Sequence, residues 1–375
     1  VTSLAPPPPM AWYGSSFVYE PPTVGDLDAA AASGRAHRLA RFSPEQFTPR
    51  PGGGDTSGVV LGRFLPVHDG HRYLVEFARA YTGRITAYVR VGAADPIPWE
   101  VRRDWLAELF PDVRTVAIED AWTGETNWWN AVHNRWLDTI RADGMPDFLF
   151  SGEHYGKVVA GRLGIRHVPV DRTAVPVSGT LVRQAPWDHA RHLPPCVRAW
   201  YVRRVTIVGA EGSGKSTLAT DLARHYDTVC VSEAARSFDQ LWGRSMHPGE
   251  VSDIAQAQVT AQATLARHAH RVLFCDTDPM TVGLWSERLF EAVPDWLREV
   301  GAADPADLYL LTEPEWPFEG SPTRDSPAER RAFHARIAEE LTRLGRPFVR
   351  MTGGREQRVE QARLAVDGML ATPRP

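Results

Sequence analysis

Residues Gly209 to Thr217 read Gly-Ala-Glu-Gly-Ser-Gly-Lys-Ser-Thr, and this stretch constrains the fold of the 375-residue chain more than any other. It fits Gly-x-x-x-x-Gly-Lys-Ser/Thr, a loop whose backbone N–H groups wrap nucleotide phosphates. In such a loop Gly209, Gly212, Ser213 and Gly214 shape the cradle. Lys215 reaches the outer phosphates, Ser216 is placed to ligate a magnesium ion, and Thr217 completes the phosphate-binding set. The loop requires a strand before it and a helix N-terminus after it. Both are legible: Arg204 to Val208 is short, β-branched and apolar, and Leu218, Ala219, Leu222 and Ala223 recur at helical spacing.

The same alternation of short apolar runs with amphipathic helical patterns begins at Ser57, which predicts α/β architecture with parallel sheets. Strands are expected at 58–63, 84–91, 113–118, 147–150 and 166–170, with helices at 70–81, 99–110, 127–141 and 156–163 between them. Pro194-Pro195 interrupts the pattern, and a second series starts at Val202. It holds strands near 229–231, 271–275, 307–311 and 348–351, and helices at 251–268, 327–344 and beyond 351. We therefore expect two doubly wound domains, 57–195 and 196–375, with no repeat between them. Residues 1–56 carry Pro6 to Pro9, Pro21-Pro22 and Gly52-Gly53-Gly54, which is tail or linker chemistry, poorly ordered or docked.

Bulk properties narrow the class. Hydrophobic residues at 43% and charged residues at 23% describe a globular protein. A formal charge of −4 argues against a nucleic-acid coat, so no nucleic-acid partner is expected. Cys196, Cys230 and Cys275 lack metal-ligand spacing, and no window resembles a membrane span or a signal peptide. A cytoplasmic setting, small-molecule partners and a possible homo-oligomer are the expectations.

A second constellation lies between the first strand and first helix of the N-terminal series, Gly62-Arg-Phe64-Leu-Pro-Val-His68-Asp-Gly70-His71. Two histidines three apart at a helix N-terminus can donate to phosphate oxygens and stabilise charge developing there. Gly70 lets the backbone approach closely. A zinc pair and two surface histidines beside a turn are the competing readings, although no third metal ligand is spaced nearby. Downstream, Pro176-Val-Ser178-Gly179-Thr180-Leu-Val-Arg183 offers two helix-capping hydroxyls followed one turn on by a planar cation.

The first stretch resembles the His-x-Gly-His signature of the nucleotidylyltransferase superfamily, and the second its Ser-x-Thr-x-x-Arg motif. Their order, running through Trp200 to Gly209 into the phosphate loop, is similar to the NadR family. Those proteins join a nicotinamide mononucleotide (NMN) adenylyltransferase to a ribosylnicotinamide kinase. The resemblance spans roughly residues 57 to 370 and includes Pro96 to Glu100, Leu109 to Asp112, Ser151 to Gly156 and Asp171-Arg172. Some members begin with a DNA-binding helix-turn-helix domain, which the Pro/Gly-rich opening segment here is not expected to supply.

The resemblance implies ATP at both sites, with Mg2+ as cofactor. In the first domain the phosphate of NMN would attack the α-phosphorus of ATP, giving NAD and pyrophosphate. His68, His71 and Arg183 would face the triphosphate, supported by Gly62, Phe64, Gly70, Ser178, Gly179 and Thr180. Trp128 and Trp129 are candidates for stacking nicotinamide, though tryptophans on an amphipathic helix are more often core.

In the second domain an apolar strand ends in Asp276-Thr277-Asp278. Asp276 is expected to bind substrate and, with Ser216, magnesium, and Asp278 to act with Lys215 in catalysis. Glu233 and Arg236 match the family's Glu-x-x-Arg element, holding ribose hydroxyls and phosphate; a helical surface ion pair is the other reading. Arg324, in the Pro/Gly-rich segment 315–327, is a candidate lid arginine or else an exposed loop residue. The function implied is NAD salvage: nicotinamide riboside phosphorylated in the second domain, the product adenylylated in the first. A different nucleoside acceptor, or a nucleotide sensor with little turnover, are the alternatives.

Overall fold

The computed structural model describes residues 55–119, 128–242, 247–303, 305–315 and 325–372, together with the antiparallel pair β1 (Trp12–Tyr13) and β2 (Ser16–Phe17). The chain forms two compact units, which divide at Thr180 and Leu181. Pro194-Pro195 serves inside the second unit, capping and opening the helix Pro195–Tyr201.

The first unit is built on five parallel strands: β3 (Ser57–Gly62), β4 (Arg84–Val91), β5 (Arg114–Glu119), β6 (Phe148–Ser151) and β7 (Arg166–Pro169). Their order is β5-β4-β3-β6-β7, and each strand pairs in parallel with its neighbours. Connections run to one side of β3 until β5, then cross to β6 on the other side. The carboxyl ends of β3 and β6 therefore flank a topological switch point, where open α/β sheets bind ligands.

Side chains alternate across this sheet. Val59 and Leu61 face one helical layer with Trp136, Leu137, Ile140 and Val159. Toward the other face Phe77 and Tyr81 meet the Phe150 ring edge-on. That ring lies so close over Gly58 that a Cβ there would stand 2.5 Å from it. Central β3 and β6 are covered on both faces, so they read as near-continuous apolar runs.

The second unit repeats the principle with a different winding. Its strands are β8 (Arg203–Gly209), β9 (Cys230–Val231), β10 (Val272–Asp276), β11 (Leu308–Thr312) and β12 (Phe348–Met351), in the order β12-β11-β8-β10-β9, all parallel. Central β8 has β10 on one side and β11 on the other, so its carboxyl end is again the switch point. Val205, Ile207 and Phe274 pack under the helices Lys215–His225 and Arg355–Ala371. On the opposite face Val208, Tyr309 and Leu311 pack under Pro327–Arg343.

Among the helices that periodicity does not announce are Pro279–Phe290 and Asp295–Ala303. The first has Met280, Thr281, Val282, Gly283 and Leu284 all buried, so it lacks the polar face that a 3.6-residue pattern needs.

Candidate active sites

In the first unit the chain leaves β3 at Gly62, where a Cβ would press on the Phe64 ring at 3.2 Å. Phe64 takes a left-handed backbone (φ 48°) with its side chain fully buried. The following turn delivers His68 as the N-cap of the helix Asp69–Tyr81. His68 Nδ1 accepts the Gly70 N–H at 3.1 Å, which fixes a neutral ring's proton on Nε2. A Cβ on Gly70 would sit 3.0 Å from that ring, so glycine is what lets the imidazole fold over the helix start.

The His68 and His71 rings lie 3.9 Å apart, and Phe64 covers His71 at 4.6 Å. Part of the His71 side chain reaches solvent, but its Nδ1 is buried without a hydrogen-bond partner. Burial pushes the His71 pKa well below the ordinary histidine value, and the neighbouring His68 and Arg172 push it the same way. At neutral pH His71 is an uncharged donor.

Sequence reasoning gave Arg172 no role of its own. Its stem lies over Gly152, where a Cβ would collide at 2.1 Å, its guanidinium pairs with Glu153, and its charge reaches His71. The signal was Gly152, placed immediately after β6 at the switch point. Behind the loop, fully buried Arg102 donates to the carbonyls of Arg63 (2.8 Å) and Arg90 (3.2 Å) and pairs with Asp95 at 2.9 Å. Asp95 also binds Arg63 and accepts the Gly92 N–H. This charged knot ties the exits of β3 and β4 together, and so positions the histidine loop.

Ser178 and Thr180 flank the start of the helix Gly179–Gln184. The segment before it abuts the histidine helix, Val177 lying 3.6 Å from where a Gly70 Cβ would stand. Arg183 is half-buried on the same short helix, past the division between the units, and its charge reaches the Tyr201 hydroxyl. Trp128 and Trp129 open the helix Trp128–Asp143, and their side chains lie outside the described residues.

In the second unit the loop leaves β8 through Gly209 (φ 154°), Gly212 (φ 65°) and Gly214 (φ 89°), backbone that side chains disfavour. A Cβ on Gly209 would meet Thr312 Oγ1 at 2.3 Å. Ser213 Oγ donates to the Ala210 carbonyl at 2.7 Å, and Lys215 Nζ rests on the same oxygen at 3.1 Å.

Asp276, at the end of β10, is 2% exposed, and its Oδ1 is buried without a hydrogen-bond partner. Burial raises its pKa, against the pull of Lys215 and Ser216. An orphaned carboxylate oxygen beside a serine hydroxyl and a lysine fits a site for a hard divalent cation. Glu233 and Arg236 form a 3.1 Å ion pair near enough to Asp276 for both charges to act on it. Buried Gln258 accepts the Ala234 N–H at 2.8 Å and donates to the Asp276 carbonyl at 3.4 Å, binding that element to the end of β10.

Asp278 has a different occupation from the catalytic one expected of it. Its Oδ1 accepts from the Thr281 N–H and hydroxyl at 2.9 and 2.8 Å, and its Oδ2 accepts the Tyr309 hydroxyl at 2.8 Å. Arg346, 3.7 Å away, balances its charge. Both oxygens are committed, so Asp278 is the N-cap of Pro279–Phe290 and part of a buried network. Arg324 lies outside the described residues.

Switch-point geometry, sheet order and loop chemistry define two doubly wound parallel α/β units, the first Rossmann-like and the second carrying a P-loop between its central strand and the following helix. Residues 204–358 match a family described as an AAA domain. The trifunctional NAD biosynthesis/regulator protein NadR of Escherichia coli (strain K12) is 26% identical over 326 residues, covering 79% of this chain and 78% of that protein. A crystal structure of NadR protein in complex with NR matches with a TM-score of 0.68 at 20% identity, covering 86% of this chain and 98% of the other. A second, in complex with NAD and AMP-PNP, gives 0.65 at 20% identity, with 87% and 99% covered. The chain is homologous to NadR.

Proposed function

We propose that this chain is a bifunctional enzyme of NAD salvage. Its second unit phosphorylates nicotinamide riboside to NMN with ATP, and its first transfers AMP from ATP to NMN, releasing pyrophosphate. The observation that carries the reading is the pairing, in a NadR homologue, of two phosphate-type loops, each at the switch point of its own parallel sheet.

In the second unit Lys215 would leave the Ala210 carbonyl for the β- and γ-phosphates of ATP, while open loop N–H groups hold the β-phosphate. Ser216 and Asp276 would hold Mg2+, which when bound neutralises charge on the phosphoryl oxygens. Glu233 and Arg236, whose charges act on Asp276, would meet the riboside there, Glu233 suited to ribose hydroxyls and Arg236 to phosphate. Phosphoryl transfer asks little covalent chemistry of the protein, so position and field do the work.

In the first unit no side-chain nucleophile is required, because the NMN phosphate itself attacks. His68 and the uncharged His71 supply N–H donors to the triphosphate, and Arg172 supplies a cation. Arg183, Ser178 and Thr180 are proposed to complete that site. A cytoplasmic setting accords with three cysteines that form no disulfide and with the absence, among the described residues, of a helix long and apolar enough to cross a membrane.

Purified protein given ATP, Mg2+ and nicotinamide riboside should yield NMN and then NAD. A protein that makes neither, but phosphorylates another nucleoside, would move the proposal to that acceptor.

A further inference from the structure

Two buried arginines far from the phosphate loop in sequence hold its backbone. Arg330, 4% exposed in the first turn of Pro327–Arg343, donates from Nε to the Glu211 carbonyl at 2.8 Å. Arg358, 2% exposed in the first turn of Arg355–Ala371, donates from Nη1 to the Ser213 carbonyl at 2.8 Å. Its other nitrogens bind the carbonyls of Gly353 and Glu313, each at 2.8 Å.

The consequence follows from peptide planarity. In a trans peptide the C=O and the following N–H point in opposite directions. A guanidinium that draws the Glu211 oxygen outward turns the Gly212 N–H inward, and one on the Ser213 oxygen does the same for Gly214. Neither glycine N–H has a hydrogen-bond partner among the described residues. Both glycines have positive φ, the backbone that this alternation of inward and outward groups requires.

We propose that Arg330 and Arg358 are positioning residues for the nucleotide: by gripping the Glu211 and Ser213 carbonyls from outside the loop, they aim the Gly212 and Gly214 N–H groups at the phosphates. The inference rests on the reading of the second unit as an ATP site.

Replacing either arginine by methionine keeps most of the side-chain volume and removes the grip. Losing a charge-assisted hydrogen bond of this kind corresponds to about a ten- to hundredfold weaker nucleotide affinity. We expect the KM for ATP, and the Kd for ADP, to rise by that factor in Arg358→Met and Arg330→Met. The KM for nicotinamide riboside should stay within about twofold, since the loop touches no riboside. Arg358→Lys, which keeps the charge but not the planar fork, should fall between.

A readout that general loosening would not reproduce is available in the unaltered protein. With 15N-glycine labelling, the Gly212 and Gly214 amide protons should move downfield on ADP binding, and each variant should lose the shift of the glycine its arginine governs. If wild-type protein binds ADP and neither glycine responds, the inference is overturned, whether or not the variants fold. Folded variants with unchanged nucleotide affinity overturn it as well. Failure of wild-type protein to bind ATP or ADP would instead remove the reading of the site itself.

Discussion

Thr312 and Ser213, 99 residues apart, share a 2.7 Å hydrogen bond beneath the phosphate loop. Thr312 Oγ1 also lies 3.1 Å from the Val208 carbonyl oxygen, so the one hydroxyl hydrogen of the threonine at the end of β11 is shared between the strand that enters the loop and the serine inside it. Thr312→Val keeps the shape and removes both contacts. The cost should be about 1–2 kcal/mol in denaturant unfolding, because the Val208 carbonyl loses this donor in a buried site. Riboside kinase activity should show a raised KM for ATP, while NAD formation from supplied NMN is unaffected.

The two chemistries should separate by mutation. Lys215→Ala is expected to lower NMN formation from the riboside by at least about a hundredfold while sparing NAD synthesis from NMN. His71→Ala should do the reverse. Coupled assays with each substrate supplied separately would check this, and loss of both activities in a folded single variant would count against independent sites.

Asp276 and Asp278 stand two residues apart and should fail differently. Asp276→Asn removes the charge that the orphaned Oδ1 carries, so kinase activity and its Mg2+ dependence should collapse with the melting temperature held or raised. Asp278→Asn leaves Arg346 without its balancing charge and disturbs the Tyr309 bond, so about 1–3 kcal/mol of stability should be lost. Chelation of divalent cations should abolish the activity of the unaltered protein.

His71 and His334 are both held below the ordinary histidine pKa, in each case chiefly by burial. At His334 the Glu313 carboxylate, 3.0 Å away, pulls upward but does not win. Unfolded histidines take up protons near pH 6.5, whereas these take them up at lower pH when folded. Their contribution to stability is therefore complete above about pH 6.5 and is lost as pH falls through the folded values. His334→Gln can still donate to Glu313 but cannot titrate. Its melting temperature should fall less than that of wild type between pH 7.5 and 5.5.

Gly70→Ala tests the histidine geometry at little cost to the fold. A Cβ 3.0 Å from the His68 ring must displace an imidazole that is itself a tip, so stability should change by less than about 1 kcal/mol. Adenylyl transfer should fall by tenfold or more, measured as pyrophosphate release, because a ring moved by an ångström no longer meets the phosphate.

The alternation of elements and the two loops were legible in the sequence because their signals are local. Gly209, Gly212 and Gly214 announce backbone that needs no Cβ, and the strand–loop–helix order follows from periodicity within a few residues of each motif. Pro279–Phe290 is not legible by periodicity, since a helix surrounded by protein over its first half loses the polar face that periodicity detects. A local signal did exist: Asp278 followed by Pro279 is a cap followed by a residue pre-set for the first helical position. The same pair explains why Asp278 is committed to structure.

What the sequence by itself determined is the chemistry each loop can offer, because the phosphate-binding N–H groups, Lys215 and the histidine pair lie within single short segments. Tertiary structure alone decided the distribution of work among residues brought from elsewhere. Which of Asp276 and Asp278 keeps an unsatisfied oxygen depends on Tyr309 and Arg346. The cation that faces His71 arrives from beyond β7, and the carbonyls of the phosphate loop are held by Arg330 and Arg358. Those outcomes turn on burial and on the pairing of charges over long sequence separations, quantities that no local pattern of residues encodes.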